Sequence, residues 1–469
     1  MGDLQRRVND ISHNWLRILS VHRWFEDRSF RRLFENVGIL LSGDAVSRLF
    51  AFVSVVLTAR ALGTRQFGIL VLVQTYALVI DRLVNFQSWQ ALIKYGAEAF
   101  EQDRHEDIGG LIRLGSLLDV GSAIIGTIIA LSAAHWVGPL FGWDNEVTRM
   151  AGLYGLVILF NLTGTPTGII RLLDKFKLIA IQRTVSAGIK LLAILAAYAS
   201  GAGLWTYVLI WMITDIVGYV TLFFLGHLLL YRSRIRHWWH ARIRDWRRFV
   251  SFVWWSNLAS TLDIPVKLLD VFIVSLVISV EAVGIYKIFK QVSDILRKPV
   301  DPIYQAIYPQ FAALIASAQD LRAVKMAVKV GVLILAFSIP LVGIISLSSP
   351  WWLDKIFGEA YASEWAVFSL YLLLQGISIV FVSIHPLFIA MGYIQKNFWI
   401  LGLANGSFLV FCWFLGKSYG LWGIVTAYGV QFSTVVVLKV FLIRQRISRY
   451  LAMQPESVDG RADENTNRE

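Results

Sequence analysis

QFGILVLVQTYALVIDRL, residues 66–83, and AVGIYKIFKQVSDILRKP, residues 282–299, lie 216 positions apart and share a frame of small and apolar residues, with Gly68 on Gly284 and Ile69 on Ile285. A second pair, Gly203-Leu204-Trp205 and Gly420-Leu421-Trp422, recurs 217 positions apart. Two matches at nearly one offset, each opening an apolar run, identify an internal duplication. The copies differ in polarity. The first is almost wholly apolar up to Asp81 and Arg82, whereas the second, continued to residue 304, carries Lys287, Lys290, Asp294, Arg297, Lys298 and Asp301.

The chain around these copies reads as hydrocarbon-soluble. Of its 469 residues 56% are hydrophobic and only 16% charged, against about 25% charged in an ordinary globular protein, and the mean hydropathy is +0.59. Apolar runs of the roughly 20 residues needed to cross a bilayer as a helix recur along most of the length. The expected spans are 37–60, 67–92, 110–136, 147–171, 177–200, 203–231, 249–278, 281–312, 324–349, 364–391, 396–416 and 419–444, twelve in all. The fold class is therefore an all-α polytopic membrane protein, and weak alternation argues against an outer-membrane barrel.

Six spans per copy is an even number, so both copies enter the membrane in the same sense, as parallel repeats. This predicts two six-helix lobes, 37–231 and 249–444, joined by a basic link, 232–248. Arg and Lys mark the cytoplasmic side of short loops. They crowd the amino-terminal head, Lys94, Arg104, Arg171, Lys175, Lys177, the link, Arg322, Lys325, Lys396 and Arg444 to Arg449, all on one side. The other side offers little beyond Arg65, Arg149, Lys355 and Lys417. Both termini are expected in the cytoplasm, and the net charge of +12 reflects this topology and attraction to anionic membrane lipids, with no nucleic-acid partner needed. Residues 1–36 read as a basic segment with an interfacial amphipathic helix from Ile11 to Phe25, and 445–469 as a polar cytoplasmic tail without fixed structure.

Placed on a helix at about 100° per residue, the six charges from Lys287 to Asp301 fall within an arc of roughly 100°. The aligned face of the first copy reads Val71, Gln74, Leu78, Asp81, Arg82 and Asn85. Preceding spans contribute Asp44 and Arg48, and Asp263, Lys267 and Asp270 on one face, while Lys190, Asp119 and Asp215 stand more alone. A charge at the bilayer centre costs about 3 kcal/mol on insertion scales, so such faces turn to water or to protein partners. Spacings of four allow Lys290–Asp294, Arg297–Asp301, Asp44–Arg48 and Asp263–Lys267 to pair within one helix. The stripe nevertheless holds four cations against two anions. The candidate substrate-binding cations are Arg48, Arg82, Lys267, Lys290, Arg297 and Lys298, lining a cationic lumen. Asp44, Asp81, Asp263, Asp270 and Asp294 are candidates for tuning those charges or carrying a coupling proton or sodium ion.

No phosphate loop of the Walker type occurs, and no segment outside the spans is large enough for an ATPase. The one cysteine, Cys412, rules out an internal disulfide and a Cys/His metal motif. No catalytic residue, metal ligand or cofactor is expected.

The run Leu57-Thr58-Ala59-Arg60-Ala61-Leu62-Gly63-Thr64-Arg65-Gln66-Phe67-Gly68 resembles the signature of the polysaccharide-repeat flippases in the multidrug/oligosaccharidyl-lipid/polysaccharide exporter superfamily. Leu269-Asp270-Val271-Phe272 with Val283-Gly284-Ile285-Tyr286 is similar to its second-half counterpart. The likeness covers about residues 36 to 445. It implies a V-shaped bundle of two six-helix lobes. It also implies a short oligosaccharide on a polyprenyl diphosphate as substrate, flipped by alternating access for O-antigen, capsule or exopolysaccharide synthesis, with a polymerase and glycosyltransferases as partners. Twelve spans fit this branch, whereas relatives that flip the peptidoglycan precursor carry two more. The arginine-rich head departs from the usual short amino end. Two other readings stay open: an ion-coupled multidrug/cation antiporter of the same superfamily, for which a neutral or acidic lumen is expected, and a non-transporting membrane scaffold.

Overall fold

The computed structural model describes residues 28–86, 88–233, 235, 238–242, 246–297 and 300–452. The expected amphipathic helix Ile11–Phe25, Lys298 and the tail beyond 452 lie outside the described residues, as do the side chains of Asp44 and Asp301. All regular structure among the described residues is helical, the outcome expected where no water is at hand to satisfy backbone groups.

In chain order the α-helices are α1 Arg28–Val84, α2 Ser88–Glu101, α3 His105–Leu140, α4 Asn145–Gly155, α5 Val157–Phe160, α6 Gly164–Leu172, α7 Phe176–Ala199, α8 Leu204–Arg232 and α9 Trp246–Thr261. A π-turn, Pro265–Leu269, leads into α10 Asp270–Val277. There follow α11 Val280–Arg297, α12 Asp301–Ala316, α13 Asp320–Phe357, α14 Glu359–Ala362, α15 Trp365–Val380, α16 Ile384–Ala390, α17 Ile394–Tyr419 and α18 Leu421–Ala452. Among the described residues nine helices are long and apolar enough to cross a membrane. The difference from twelve has local causes. The expected break after residue 60 is present as a kink at Gly63 (φ 66, ψ 179), which separates two helical segments within α1, and the stretch Ala45–Glu101 that runs through it counts as one span. The expected seventh and eighth spans are cut by the π-turn and by the charged segment into pieces of 8 to 18 residues.

The duplication recurs in the turns. Left-handed residues end matching helices at Asp103 and Ala318, at Gly142 and Gly358, and at Asp174 and Gly392, at offsets of 215, 216 and 218. Helices α2, α3, α6, α7 and α8 thus correspond to α12, α13, α16, α17 and α18.

The chain packs as two compact units. One comprises Met1–Thr58, Val84–Leu131 and Leu153–Asn257; the other Ala59–Leu83, Ser132–Gly152 and Leu258–Glu469. The first unit has a core built on Leu92, Ala99, Ile108, Ile112, Ile169 and Leu230. The second has one built on Ile307, Phe311, Ala323, Leu387, Phe388 and Ile400, while Phe337, Ile344 and Leu347 of α13 stay exposed, as suits a lipid-facing surface.

Both copies of the opening stretch belong to the second unit, and they cross reciprocally. A Cβ on Gly68 would strike the carbonyl oxygen of Val280, and one on Gly284 would strike that of Thr64. Thr64 and Val280 are themselves 216 positions apart, so the contact is related to itself by the repeat. The repeat-related Arg65 and Glu281 pair at its rim at 3.7 Å, both exposed. Only glycine lets two helix backbones approach this closely.

Candidate substrate site

The charged copy acquires its geometry from a fault in the helix before it. Pro265 has no N–H to donate, and the chain from Thr261 to Asp270 answers with a π-turn, a feature that recurs at functional sites. Carbonyls loosened there are taken by side chains from other helices. Asn405 of α17 donates to Leu262 O at 2.7 Å, its own oxygen accepting from Gln431 at 2.8 Å. Lys290 of α11 donates to Val266 O and Lys267 O, each at 3.1 Å, and to Asp270 Oδ2 at 2.5 Å.

Three acceptors exhaust an ammonium group. Asp270 is fully buried and equally well occupied, since Tyr286 donates its hydroxyl to Oδ2 at 2.8 Å and the Val271 N–H donates to Oδ1 at 2.9 Å. The Tyr286 ring stands edge-on to Tyr371, which leans on Tyr428. Lys290 therefore closes a helix break and neutralises a buried carboxylate.

Asp263, Lys267 and Asp270 were expected to share one face. The π-turn changes the register between them. Asp270 points into the packing, whereas Lys267 turns outward with 62% of its side chain exposed and pairs with Asp263 at 2.7 Å. On α11, Tyr286, Ile288, Phe289 and Val292 are buried while Asp294 and Arg297 are exposed. Arg82 is exposed near the end of α1, with Asp81 half-buried beside it. The second unit therefore brings Lys267, Lys290, Asp263 and Asp270 together around one helix break. Arg48, exposed on α1, belongs to the first unit.

Charges that looked isolated in the sequence are partnered. In the first unit Lys190 meets Asp215 at 3.2 Å and lies over the Trp211 ring at 4.3 Å, and Tyr154 donates to the other Asp215 oxygen at 2.7 Å. Asp119 accepts from Ser88 Oγ and from the Thr165 N–H, both at 2.6 Å, which makes it the cap for the first turn of α6. Sequence reasoning passed over two further groups in the second unit. Arg446 of α18 binds Asp320 at 2.6 Å and Met391 O at 2.7 Å, and the buried Lys439 contacts His385 Nδ1 at 2.8 Å. Arg446 stood among the topology-marking arginines; nothing in the local pattern of Lys439 announces its partner.

A polytopic helical bundle with an internal repeat, a broken membrane helix and intramembrane ions defines a transporter-type membrane protein. Its fold matches a multidrug resistance MATE family transporter of the MOP superfamily in an inward-facing conformation, with TM-score 0.72, 13% identity, and coverage of 87% of this chain and 96% of that one. It also matches the lipid II flippase MurJ in an inward closed conformation, with TM-score 0.65, 13% identity, and coverage of 88% and 89%. A MOP superfamily transporter from Pyrococcus furiosus, described as having a binding pocket of reverse polarity, aligns with TM-score 0.59, 13% identity, and coverage of 91% and 97%. Residues 33–315 match the family described as polysaccharide biosynthesis protein, and the chain belongs to that family. It is also 24% identical over 299 residues to the inner membrane protein YghQ of Escherichia coli (strain K12), which covers 63% of this chain and 84% of that protein.

Proposed function

We propose that this protein is a flippase of the bacterial cytoplasmic (inner) membrane, with both termini in the cytoplasm. Its substrate is an oligosaccharide repeat unit linked to a polyprenyl diphosphate, moved outward for surface polysaccharide synthesis. The observation that carries this reading is the charged helix break of the second unit, where Lys267, Lys290, Asp263 and Asp270 gather. There a membrane helix is interrupted, two of its carbonyls accept from Lys290, Lys267 is exposed while paired with Asp263, and Arg297 is exposed about two turns further along α11. A diphosphate gains charge-assisted hydrogen bonds from such groups. Arg48, Arg82 and Lys298 complete the proposed set, and Lys290 positions the break, its donors being taken in this conformation. Asp44, Asp81, Asp263 and Asp294 temper those cations, and coupling to a proton or sodium gradient is assigned among the carboxylates. Glycosyltransferases that load the lipid and a polymerase that consumes it are the expected partners. The relationship to the polysaccharide biosynthesis family supports this substrate class over small cationic drugs.

The test is complementation of a host lacking its own repeat-unit flippase. Wild-type protein should restore surface polysaccharide, and Lys267→Gln with Arg297→Gln should lose most of it at equal protein level. Full output from the double variant removes the diphosphate role. Dye resistance without polysaccharide rescue assigns the chain to drug antiport instead.

A further inference from the structure

A polar cavity of about 280 Å³ lies within the first unit where the end of α2 and the starts of α3 and α9 meet. Tyr95, Glu98, Arg104, Asp107, Arg248 and Phe249 line it. Its floor is fixed, because Phe249 is buried in a small core with Ala91 and Val253. Its charges sort into a spent pair and an open one. Arg104 and Asp107 bind each other at 2.7 Å. Glu98, also exposed, has no ion-pair or hydrogen-bond partner among the described residues. Exposed Arg248 lies 5.8 Å from the Tyr95 ring centroid with no carboxylate within ion-pair distance among the described residues. The cavity thus offers, beside the Tyr95 ring, one anion and one cation that are paired neither with each other nor with another of the described residues.

The surroundings fix its depth. Lys94, Arg104, Arg242, Arg247 and Arg248 share this end of the unit, and such an excess marks the cytoplasmic membrane surface. Trp246, Trp254 and Trp255 of α9 are each more than half exposed. Arg247 lies 5.5 Å from the Trp246 ring. Exposed tryptophans beside basic residues are placed at the headgroup level of a bilayer.

We propose that this cavity binds the headgroup of a zwitterionic phospholipid bearing a primary ammonium, that is, a phosphoethanolamine lipid. Its phosphate meets Arg248, with Lys94 nearby over Tyr95 and Phe252, and its ammonium donates to Glu98. Electrostatics selects this chemistry over the alternatives. A phosphoglycerol headgroup offers Glu98 only neutral hydroxyls and no cation to pair with it. A phosphocholine headgroup carries the charge but no N–H to donate. The site is distinct from the charged helix break and does not depend on the proposed substrate.

The experiment uses the purified full-length protein in detergent, titrated in parallel with phosphatidylethanolamine, phosphatidylcholine and phosphatidylglycerol, with bound lipid read by native mass spectrometry and stability by thermal melting. Phosphatidylethanolamine should bind about three- to fivefold tighter than phosphatidylcholine, as one partly exposed charged contact allows. Glu98→Gln should erase that preference and Arg248→Gln should weaken both lipids, while Glu101→Gln, outside the cavity lining, should change neither. Equal binding of the ethanolamine and choline lipids, a preference for phosphatidylglycerol, or selectivity surviving Glu98→Gln each overturns the proposal. Soluble glycerophosphoethanolamine, the same headgroup without acyl chains, should bind at least about tenfold more weakly. Binding as tight as that of the lipid makes the ligand a free phosphoester and overturns the membrane assignment.

Discussion

Replacing Lys290 with Met removes one ammonium and leaves three acceptors behind. The gravest loss is at Asp270, a fully buried carboxylate that keeps only the Tyr286 hydroxyl and one backbone N–H. Breaking a buried ion pair by deleting one partner costs about 3–5 kcal/mol, mainly for the stranded charge. Val266 O and Lys267 O lose a donor too, at up to about 1 kcal/mol each. The Lys290 side chain is 18% exposed, so water can reach the gap and the total stays near about 4 kcal/mol. At about 2 °C per kcal/mol for a long chain, the melting temperature should fall by roughly 8 °C. Removing the stranded charge as well, in Lys290→Met with Asp270→Asn, should return about half of that loss, because a neutral amide is far cheaper to bury than a carboxylate. The assay is thermal unfolding of wild type, both single variants and the double variant in one detergent, closed as a double-mutant cycle. A Lys290→Met protein as stable as wild type, or a double variant no better than the single, refutes the view that Lys290 closes the break.

Other consequences can be checked in the same preparations. Gly68→Ala and Gly284→Ala each drive a methyl into a backbone carbonyl and should cost about 1–3 kcal/mol. Combined, they should cost less than their sum, since relief at one side of the crossing opens the other; additive melting shifts would deny that the two contacts are one. In the first unit, Lys190→Met should lower stability more than Tyr154→Phe. The former strands the Asp215 charge, and the latter removes one hydrogen bond worth about 1 kcal/mol. Asp119→Ala should cost about 1–2 kcal/mol through loss of the α6 cap and should be largely restored by Asp119→Asn, with melting temperature again the measure.

Composition and the spacing of apolar runs carried the helical membrane class, because lipid permits few alternatives. The duplication was legible in two short echoes, and the structure repeats it in left-handed turn residues and in the reciprocal glycine crossing. Span boundaries were legible where glycine punctuates the chain: Gly142 follows the end of α3, Gly203 opens α8, and Gly63 kinks α1 between its two helical segments. Ion partners were the poorest part of the reading. Spacing on one helix suggests pairs four residues apart, and Asp263 with Lys267 is such a pair. Lys290 instead reaches back 20 residues to Asp270, Lys190 forward 25 to Asp215, and Arg446 back 126 to Asp320. Those choices depend on which helices pack together, and on a π-turn that shifts the faces after Pro265, neither of which a helical wheel contains.

Exposed cations of the second unit are proposed to handle the lipid diphosphate. The most direct measurement of this is translocation by the purified protein in proteoliposomes of a fluorescent oligosaccharide on a polyprenyl diphosphate, followed by quenching of the outer leaflet. Wild-type protein should move the diphosphate lipid. Lys267→Gln with Arg297→Gln should slow it by about tenfold or more, as expected for two lost charge-assisted contacts. Equal rates for the two proteins, or equal rates for diphosphate and uncharged carriers, would show that these cations do not handle the diphosphate.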